Sequence, residues 1–501
     1  MSTVYPSADK LRELLTLSSG NMIPVYAELP MDMLTPISAY LILAESKKCS
    51  FLFESANLNQ KTSRFSFLGS DPLFVFKMSL DNPDGEPDAM AYVEKMFAGL
   101  KYVKLPTIPC FTGGAVGYVG YDCVKIFEPT TNRKQADSLK IPDAMLMFTD
   151  TMVIFDHLRL IVQVVAHVRT LKLPFESSAI DCSFETQYKK ACGNIAQIVH
   201  ALQTKSVLLP KQEKIDCVPS LDLEYLRPQY YSMIETLKRH IKQGDIIQAV
   251  PSCRVPRKTQ LHPFNIYRQL RSINPSPYMF YMDLGEFQVV GASPELLVKA
   301  QDRVIYNHPI AGTRRRGATP EEDAMLARDL LADPKERAEH IMLVDLARND
   351  LNRVCEPGSV KVDSLMHVEH FSHVMHIVSH LSGKLRADLT QYDAFRSVFP
   401  AGTLSGAPKV RALQLIFELE EEKRGIYGGA VGYFGYCGNV DTCIVLRTIV
   451  YKDGIAYLQA GGGIVYDSEL EAEFDEICNK MRANVNAIRA TEALYFSGST
   501  R

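Results

Sequence analysis

The clearest periodic pattern in the chain lies between residues 319 and 352. Thr319, Pro320 and Glu322 have the spacing of an N-cap, a first-turn proline and a capping-box acid, and Asp333, Pro334 and Glu336 repeat it. Two consecutive helices are predicted. On the second, Glu336, Glu339, His340, Leu343 and Ala347 recur at i, i+3, i+4, i+7 and i+11, which places them on one face. Ser468 and Glu471 predict a further capping box, ahead of a helix with Glu469, Glu473, Glu476 and Lys480 along one stripe. Residues 185–202 also read as a helix, and 145–148, 160–165 and 455–458 as strands. The segment Gly113-Gly114-Ala115-Val116-Gly117-Tyr118-Val119-Gly120-Tyr121 returns as Gly428-Gly429-Ala430-Val431-Gly432-Tyr433-Phe434-Gly435-Tyr436. Small and aromatic residues alternating with this much glycine predict two related strands in one composite sheet, approached closely by another backbone or a ligand.

Residues 1–170 mix strand-like runs with polar loops, one of them at 81–88. Residues 171–222 turn polar around a single helix and end in a linker-like stretch at 209–214. Nearly all the candidate chemistry falls in 223–492, and 493–501 reads as a tail. At 501 residues, two or three domains are expected. The composition, 46% hydrophobic and 23% charged, is that of a soluble globular protein. With 55 basic against 58 acidic residues the chain has no polycationic surface for nucleic acid. It has no apolar run of membrane-spanning length, and its first fifteen residues are not expected to act as a signal or transit peptide, lacking an apolar core and an Arg-rich, acid-poor character. Eleven cysteines without a CxxC pair suit reduced thiols, so a cytoplasmic enzyme is expected. Tryptophan is absent, although Tyr and Phe each number 23.

Glu339 and His340 sit among Ala338, Ile341, Met342, Leu343 and Val344. A buried carboxylate must be paired, protonated or bound to a metal. The plain alternative is an ion pair with an arginine of the run Arg314-Arg315-Arg316. Glu473 and Glu476, one turn apart, would by themselves be a solvated face. Taken together, the two helices offer oxygen ligands from both sides of one cleft, which is how Mg²⁺ is held. Gly461-Gly462-Gly463, after a strand, expose backbone N–H groups to an anion or simply form a turn. Arg447 reads as a lone arginine in an apolar strand, where a guanidinium faces a carboxylate of the protein or of a ligand. Glu295, at the start of an apolar run, fits a general acid with a raised pKa. These features point to Mg²⁺-assisted chemistry on a small polycarboxylate.

The chain resembles the component I (large) subunits of anthranilate synthases, among the chorismate-utilising enzymes. The resemblance rests on Gly244-Asp245-Ile246-Ile247-Gln248, Ser293-Pro294-Glu295, Pro309-Ile310-Ala311-Gly312-Thr313, Glu339-His340 and the run from Phe399 to Lys409, with the glycine and glutamate blocks downstream. It implies an α/β (α+β) fold in which two sheet-rich halves sandwich a chorismate cleft. Glu339 and Glu476, supported by Glu336 and Glu473, would hold Mg²⁺. Gly312, Thr313, Tyr427, Arg447, Gly461, Gly462 and Gly463 would bind chorismate, with Lys480 nearby. Glu295 would protonate the departing hydroxyl, His340 would assist the later proton removal, and Thr403 would line the same cleft.

Two positions separate the relatives. Members that use water carry a lysine where this chain has Gln248, and members making 4-amino-4-deoxychorismate carry one where it has Ala311. The resemblance therefore implies attack by ammonia and formation of anthranilate. An aminodeoxychorismate synthase component I, or a catalytically silent tryptophan-binding subunit, are the alternatives. Cys437 lacks the glutamine that follows an amidotransferase nucleophile, so a separate glutamine amidotransferase subunit is implied as the partner. Glu54, Ser55, Arg64, Asn274, Pro277, Tyr278 and Met279 would form a feedback site for L-tryptophan, with Phe53 standing where relatives carry leucine.

Overall fold

The computed structural model describes residues 3–55, 64–82, 86–177, 180–215, 218–371 and 374–496. Part of the loop at 81–88 and the end of the tail at 493–501 lie outside those residues. The fold is mixed α and β, built on two ten-stranded sheets whose pairings are antiparallel. The first sheet runs in spatial order Met22–Pro30, Ile161–Arg169, Met152–Asp156, Phe65–Ser70 and Ser50–Glu54. It continues through Tyr278–Asp283, Gln288–Ser293, Thr448–Lys452, Ile455–Gly461 and Ser252–Lys258. The second runs Ile310–Arg315, Val374–Lys384, Val304–Asn307, Leu296–Gln301, Val440–Ile444, Ala430–Gly435, Gly114–Val119, Ala144–Thr149 and Phe74–Met78. Lys361–His370 pairs alongside Val374–Lys384.

Each sheet is therefore a composite of early and late chain. In the first, Ser50–Glu54 joins Tyr278–Asp283, with Glu54 opposite Met279. In the second, the two echoing glycine segments pair with each other: Gly114 lies opposite Gly435 and Gly117 opposite Gly432. A Cβ on Gly117 would stand 2.0 Å from the carbonyl oxygen of Met145, and one on Gly432 would stand 2.1 Å from that of Asp441. Each glycine admits the backbone of the next strand outward, the close approach that the alternation predicts. Gly114–Val119 and Ala144–Thr149 are buried at every position, so this seam is core.

Local patterns place most helices correctly. Residues 185–202 lie within the helix Phe184–Thr204. Thr319 caps Pro320–Ala332 by accepting from the Glu322 N–H, and Asp333 caps Pro334–Asn352 by accepting from those of Lys335 and Glu336. The capping box at Ser468 does not form. In the last helix, Leu470–Tyr495, Glu469 takes the N-cap position without a side-chain capping bond, and the Ser468 hydroxyl accepts from the Val465 N–H instead. One residue of slippage at a helix start is enough for this. Among the described residues, no helix is long and apolar enough to cross a membrane.

Candidate active site

The helix Pro334–Asn352 packs on Ile310–Arg315 and Val374–Lys384 with its predicted stripe inward. Glu336 and Glu339 are half-buried, and His340, Leu343 and Ala347 are buried, while Arg337, Ile341 and Arg348 on the other side are exposed. His340 Nε2 lies 2.6 Å from Ser379 Oγ, which also accepts from the Met366 N–H. A serine oxygen has room for both donors, leaving the buried Nδ1 without a partner among the described residues. Burial, and then the charge of His367, pull the His340 pKa down to about 4, so the ring is neutral at neutral pH.

Glu339 accepts from Gln248 Nε2 at 3.3 Å. Its pKa is raised by burial, then by the charges of Glu336 and Glu476. Glu473 is buried, and its pKa is also raised, first by burial and with a contribution from Glu476. Glu336 is claimed by Arg314, which also clamps Asp329 and Asp333. The arginine run thus pairs with Glu336 and leaves Glu339 without an arginine. Lys480 sits 2.6 Å from Glu476 and donates to the Gly461 carbonyl at 2.9 Å. The four glutamates do not close into a tight chelate. Among the described residues, the only three His, Cys, Asp or Glu side chains with donor atoms within 4.8 Å of one another are His367, Glu369 and His380.

Glu295 opens the strand Leu296–Gln301 and is buried, with its carboxyl oxygen accepting from Thr403 Oγ1 at 3.1 Å. Burial raises its pKa to about 8 against the opposing pull of Thr403, Arg447 and Lys480. The carboxyl therefore keeps its proton at neutral pH. Arg447 lies in the turn between Val440–Ile444 and Thr448–Lys452 with φ of 48°, not in a strand as its apolar neighbours predict. Among the described residues its guanidinium has no ion-pair partner; burial pulls its pKa down against the charge of Glu295.

Gly312 and Thr313 form a bulge within a strand. The register against Val374–Lys384 breaks between Ala311 and Arg314, and Gly312 takes φ of 66°, which suits glycine. His376 Nδ1 meets the Gly312 carbonyl at 2.8 Å and Thr313 Oγ1 at 3.1 Å. The glycine run serves close packing: a Cβ on Gly463 would stand 2.2 Å from Gln248 Nε2, and one on Gly462 would stand 2.9 Å from the Tyr230 hydroxyl. Tyr427 is buried in the turn before Ala430–Gly435, beside the Gly461 backbone.

His376, Ser379, Tyr230 and Arg424 carry no local signal, because each acts through a distant strand or turn. Arg424 is fully buried. It is bidentate to Glu420, donates to the carbonyls of Val250 and Leu404, and stacks on Tyr121 at 4.3 Å. It thereby ties together the segments that carry Gln248, Thr403 and Tyr427.

Most of the residues expected to bind tryptophan line a cavity of about 220 Å³ between the sheets. Phe53, Glu54, Ser55, Pro277, Tyr278 and Met279 line it from the first sheet, and Val431, Gly432 and Tyr433 from the second. Arg64 and Asn274 are not among its lining residues. Arg64 pairs with Asp156 at 2.6 Å beside a neighbouring cavity, and Asn274 caps the helix Pro263–Ile273. Glu54 is occupied, accepting from Tyr267 at 2.6 Å and pairing with Arg271 at 3.1 Å.

The profile of the chorismate binding enzymes matches residues 49–486. Anthranilate synthase component 1 of Saccharomyces cerevisiae is 49% identical over 505 residues, covering 98% of this chain and 97% of the yeast protein. That of Acetivibrio thermocellus is 41% identical over 501 residues, covering 97% and 98%. The crystal structure of anthranilate synthase component I from Streptococcus pneumoniae superposes with a TM-score of 0.72 at 35% identity, covering 91% of this chain and 98% of that one. The isochorismate synthase MenF of Escherichia coli shares the fold, with a TM-score of 0.68 at 18% identity over 96% of this chain and all of MenF. The chain belongs to the chorismate-binding enzyme family and, within it, to the anthranilate synthase component 1 proteins.

Proposed function

We propose that this anthranilate synthase subunit works with Mg²⁺, draws its ammonia from a glutamine amidotransferase chain and is feedback-inhibited by L-tryptophan. One observation carries the catalytic reading. The charge of a single ammonium, that of Lys480, reaches Glu295, Glu339, Glu473 and His376, so residues from four separate elements share one field.

The donor set fits a hard cation. Glu339, Glu473 and Glu476 offer only oxygen, and the first two are strained by burial and by neighbouring carboxylates, a cost that a cation relieves. Their wide spacing suits a metal that keeps several waters and shares substrate oxygens. When bound, Mg²⁺ would neutralise a substrate carboxylate and withdraw electrons from the ring. The chain's own groups do the rest. Arg447, with no ion-pair partner among the described residues, would take a chorismate carboxylate. Glu295, protonated, would donate its proton to the departing C4 hydroxyl while ammonia adds at C2, so that water leaves. His340, neutral with Nδ1 unpaired, would accept the ring proton as pyruvate is eliminated. Chorismate and ammonia are thus converted to anthranilate, pyruvate and water. Gln248 is an amide and no base for water. Ala311 offers no amine for a covalent route.

A separate ammonia source is consistent with Cys437, whose thiol donates to the Cys110 carbonyl and whose pKa burial pushes up to about 11. The ten described cysteines are free, which suits a cytoplasmic setting. The test is direct. Purified chain with chorismate, ammonium and Mg²⁺ should give anthranilate fluorescence that EDTA abolishes and Mg²⁺ alone restores. Activity that survives EDTA would refute the metal assignment.

A further inference from the structure

Away from the acidic cleft, two paired strands gather three ligating side chains. His367 Nε2 and His380 Nε2 lie 3.2 and 3.3 Å from the same atom, Glu369 Oε1. His367 and Glu369 are two apart on Lys361–His370 and so share one face; His380 comes from Val374–Lys384 beside them. The register between the strands breaks between Ser364 and His367, and Met366 in that break has φ of 50°. A left-handed methionine carries a local cost, here borne where a bulge turns His367 toward its partners. Ser364 Oγ holds His367 Nδ1 at 3.0 Å, which leaves Nε2 facing the centre of the cluster. An outer partner on the far ring nitrogen is the usual way a ligating imidazole is oriented. A fourth imidazole, His308, stacks on His380 at 4.2 Å.

We propose that His367, Glu369 and His380 are the ligands of a divalent transition-metal ion of the zinc class, at a site separate from the glutamates of the cleft. Two imidazole nitrogens and one carboxylate oxygen suit zinc, cobalt or nickel and are a poor set for Mg²⁺, which prefers oxygen throughout. Three protein ligands leave one position of a tetrahedron open. That position has access, since the two histidine side chains are each 36% exposed. Glu369 and His380 also line the apolar cavity between the sheets, so water or a polar group of a cavity occupant would complete the shell. The competing arrangement is an ion pair in which Glu369 accepts from two ring N–H groups and no metal binds.

Titration of the metal-stripped full chain with Co²⁺ separates the two. One equivalent should bind with the visible bands of a four-coordinate nitrogen–oxygen site. Zn²⁺ should abolish those bands, and a large excess of Mg²⁺ should leave them unchanged. Losing even an outer partner of a ligand costs about 10–100-fold in affinity, so His367→Gln and His380→Gln should each weaken binding by at least about 100-fold. Circular dichroism checks that the variants fold, and the Zn²⁺ and Mg²⁺ arms on the unaltered chain do not depend on them. Absence of the bands, their displacement by Mg²⁺, or undiminished binding in folded variants would each overturn the assignment.

Discussion

The strand Val374–Lys384 divides two regions of opposite character. From one side Ser379 holds His340 in the charged cleft; from the other, Val378 and His380 line the apolar cavity. In the cleft, buried polar atoms lack partners among the described residues: Gln248 Oε1, Tyr230 Oη and His340 Nδ1. Glu295 and Glu339 are held away from their ordinary ionisation there. In the cavity wall Glu54 is satisfied by Tyr267 and Arg271, and Tyr278 by Asp441 at 3.0 Å. Unpaired buried groups cost stability and mark where a reacting ligand supplies the missing partner, whereas a satisfied wall selects its ligand by shape.

That contrast can be broken by mutation on either side. The largest effect is expected for Glu295→Gln, which keeps the shape but removes the proton donor. Turnover should fall by about 10²–10⁴-fold while tryptophan still binds; near-normal turnover would remove Glu295 from the chemistry. Glu339→Gln should lower turnover by about 10²-fold or more, from losing charge stabilisation worth several kcal/mol, and should weaken Mg²⁺ dependence. An unchanged Mg²⁺ titration would exclude it as a ligand.

A pH profile comes next. Glu295 holds its proton to about pH 8 in the folded chain, against an ordinary value of 4.5, so the folded state binds the extra proton between those limits. Stability should therefore fall as pH rises through that window. Chorismate kcat/KM, measured at fixed free NH₃, should drop about tenfold per pH unit above about 8. A flat profile to pH 10 would contradict the assignment. On the cavity side, Ser55→Phe should raise the tryptophan inhibition constant about tenfold or more, as filling a shaped pocket costs at least about 1–3 kcal/mol. Uninhibited turnover should be kept, and unaltered inhibition would place the regulatory site elsewhere. The smallest effect is expected for Gly432→Ala, whose Cβ would crowd the Asp441 carbonyl. It should lower stability by about 1–3 kcal/mol in denaturant titration and leave cleft activity intact in the cold.

What the sequence discloses follows the range of the forces involved. The stripe of Glu336, Glu339, His340, Leu343 and Ala347 is legible because capping by Asp333 and Pro334 and the 3.6-residue period are local. The paired glycine segments are legible because close backbone approach excludes every other residue. Arg447 is misplaced because an apolar run does not reveal where its strand ends, and the positive φ that turns it has no glycine to announce it. The Gly312-Thr313 bulge depends on His376, far along the chain, and the Ser379–His340 contact on strand register. Such pairings require the assembled sheet. Arg424 looks like any other charged residue until three distant segments, at Tyr121, Val250 and Leu404, close around it.

The composite sheets have a consequence for how the chain is made. One edge of Gly114–Val119 pairs early with Ala144–Thr149, but the other finds its partner only at Ala430–Gly435; likewise Ser50–Glu54 pairs early with Phe65–Ser70 and on its other edge only with Tyr278–Asp283. At about 5–20 residues per second of synthesis, an emerging chain waits on the order of half a minute with the glycine-rich edge bare. Through that interval the edge offers unpaired N–H and C=O groups to any other extended chain. Its sister strand, so similar in sequence, would be the best-fitting intruder if it came from a second nascent copy. Translation rate and chaperone supply, more than the stability of the finished protein, should therefore govern how much of it reaches the native state.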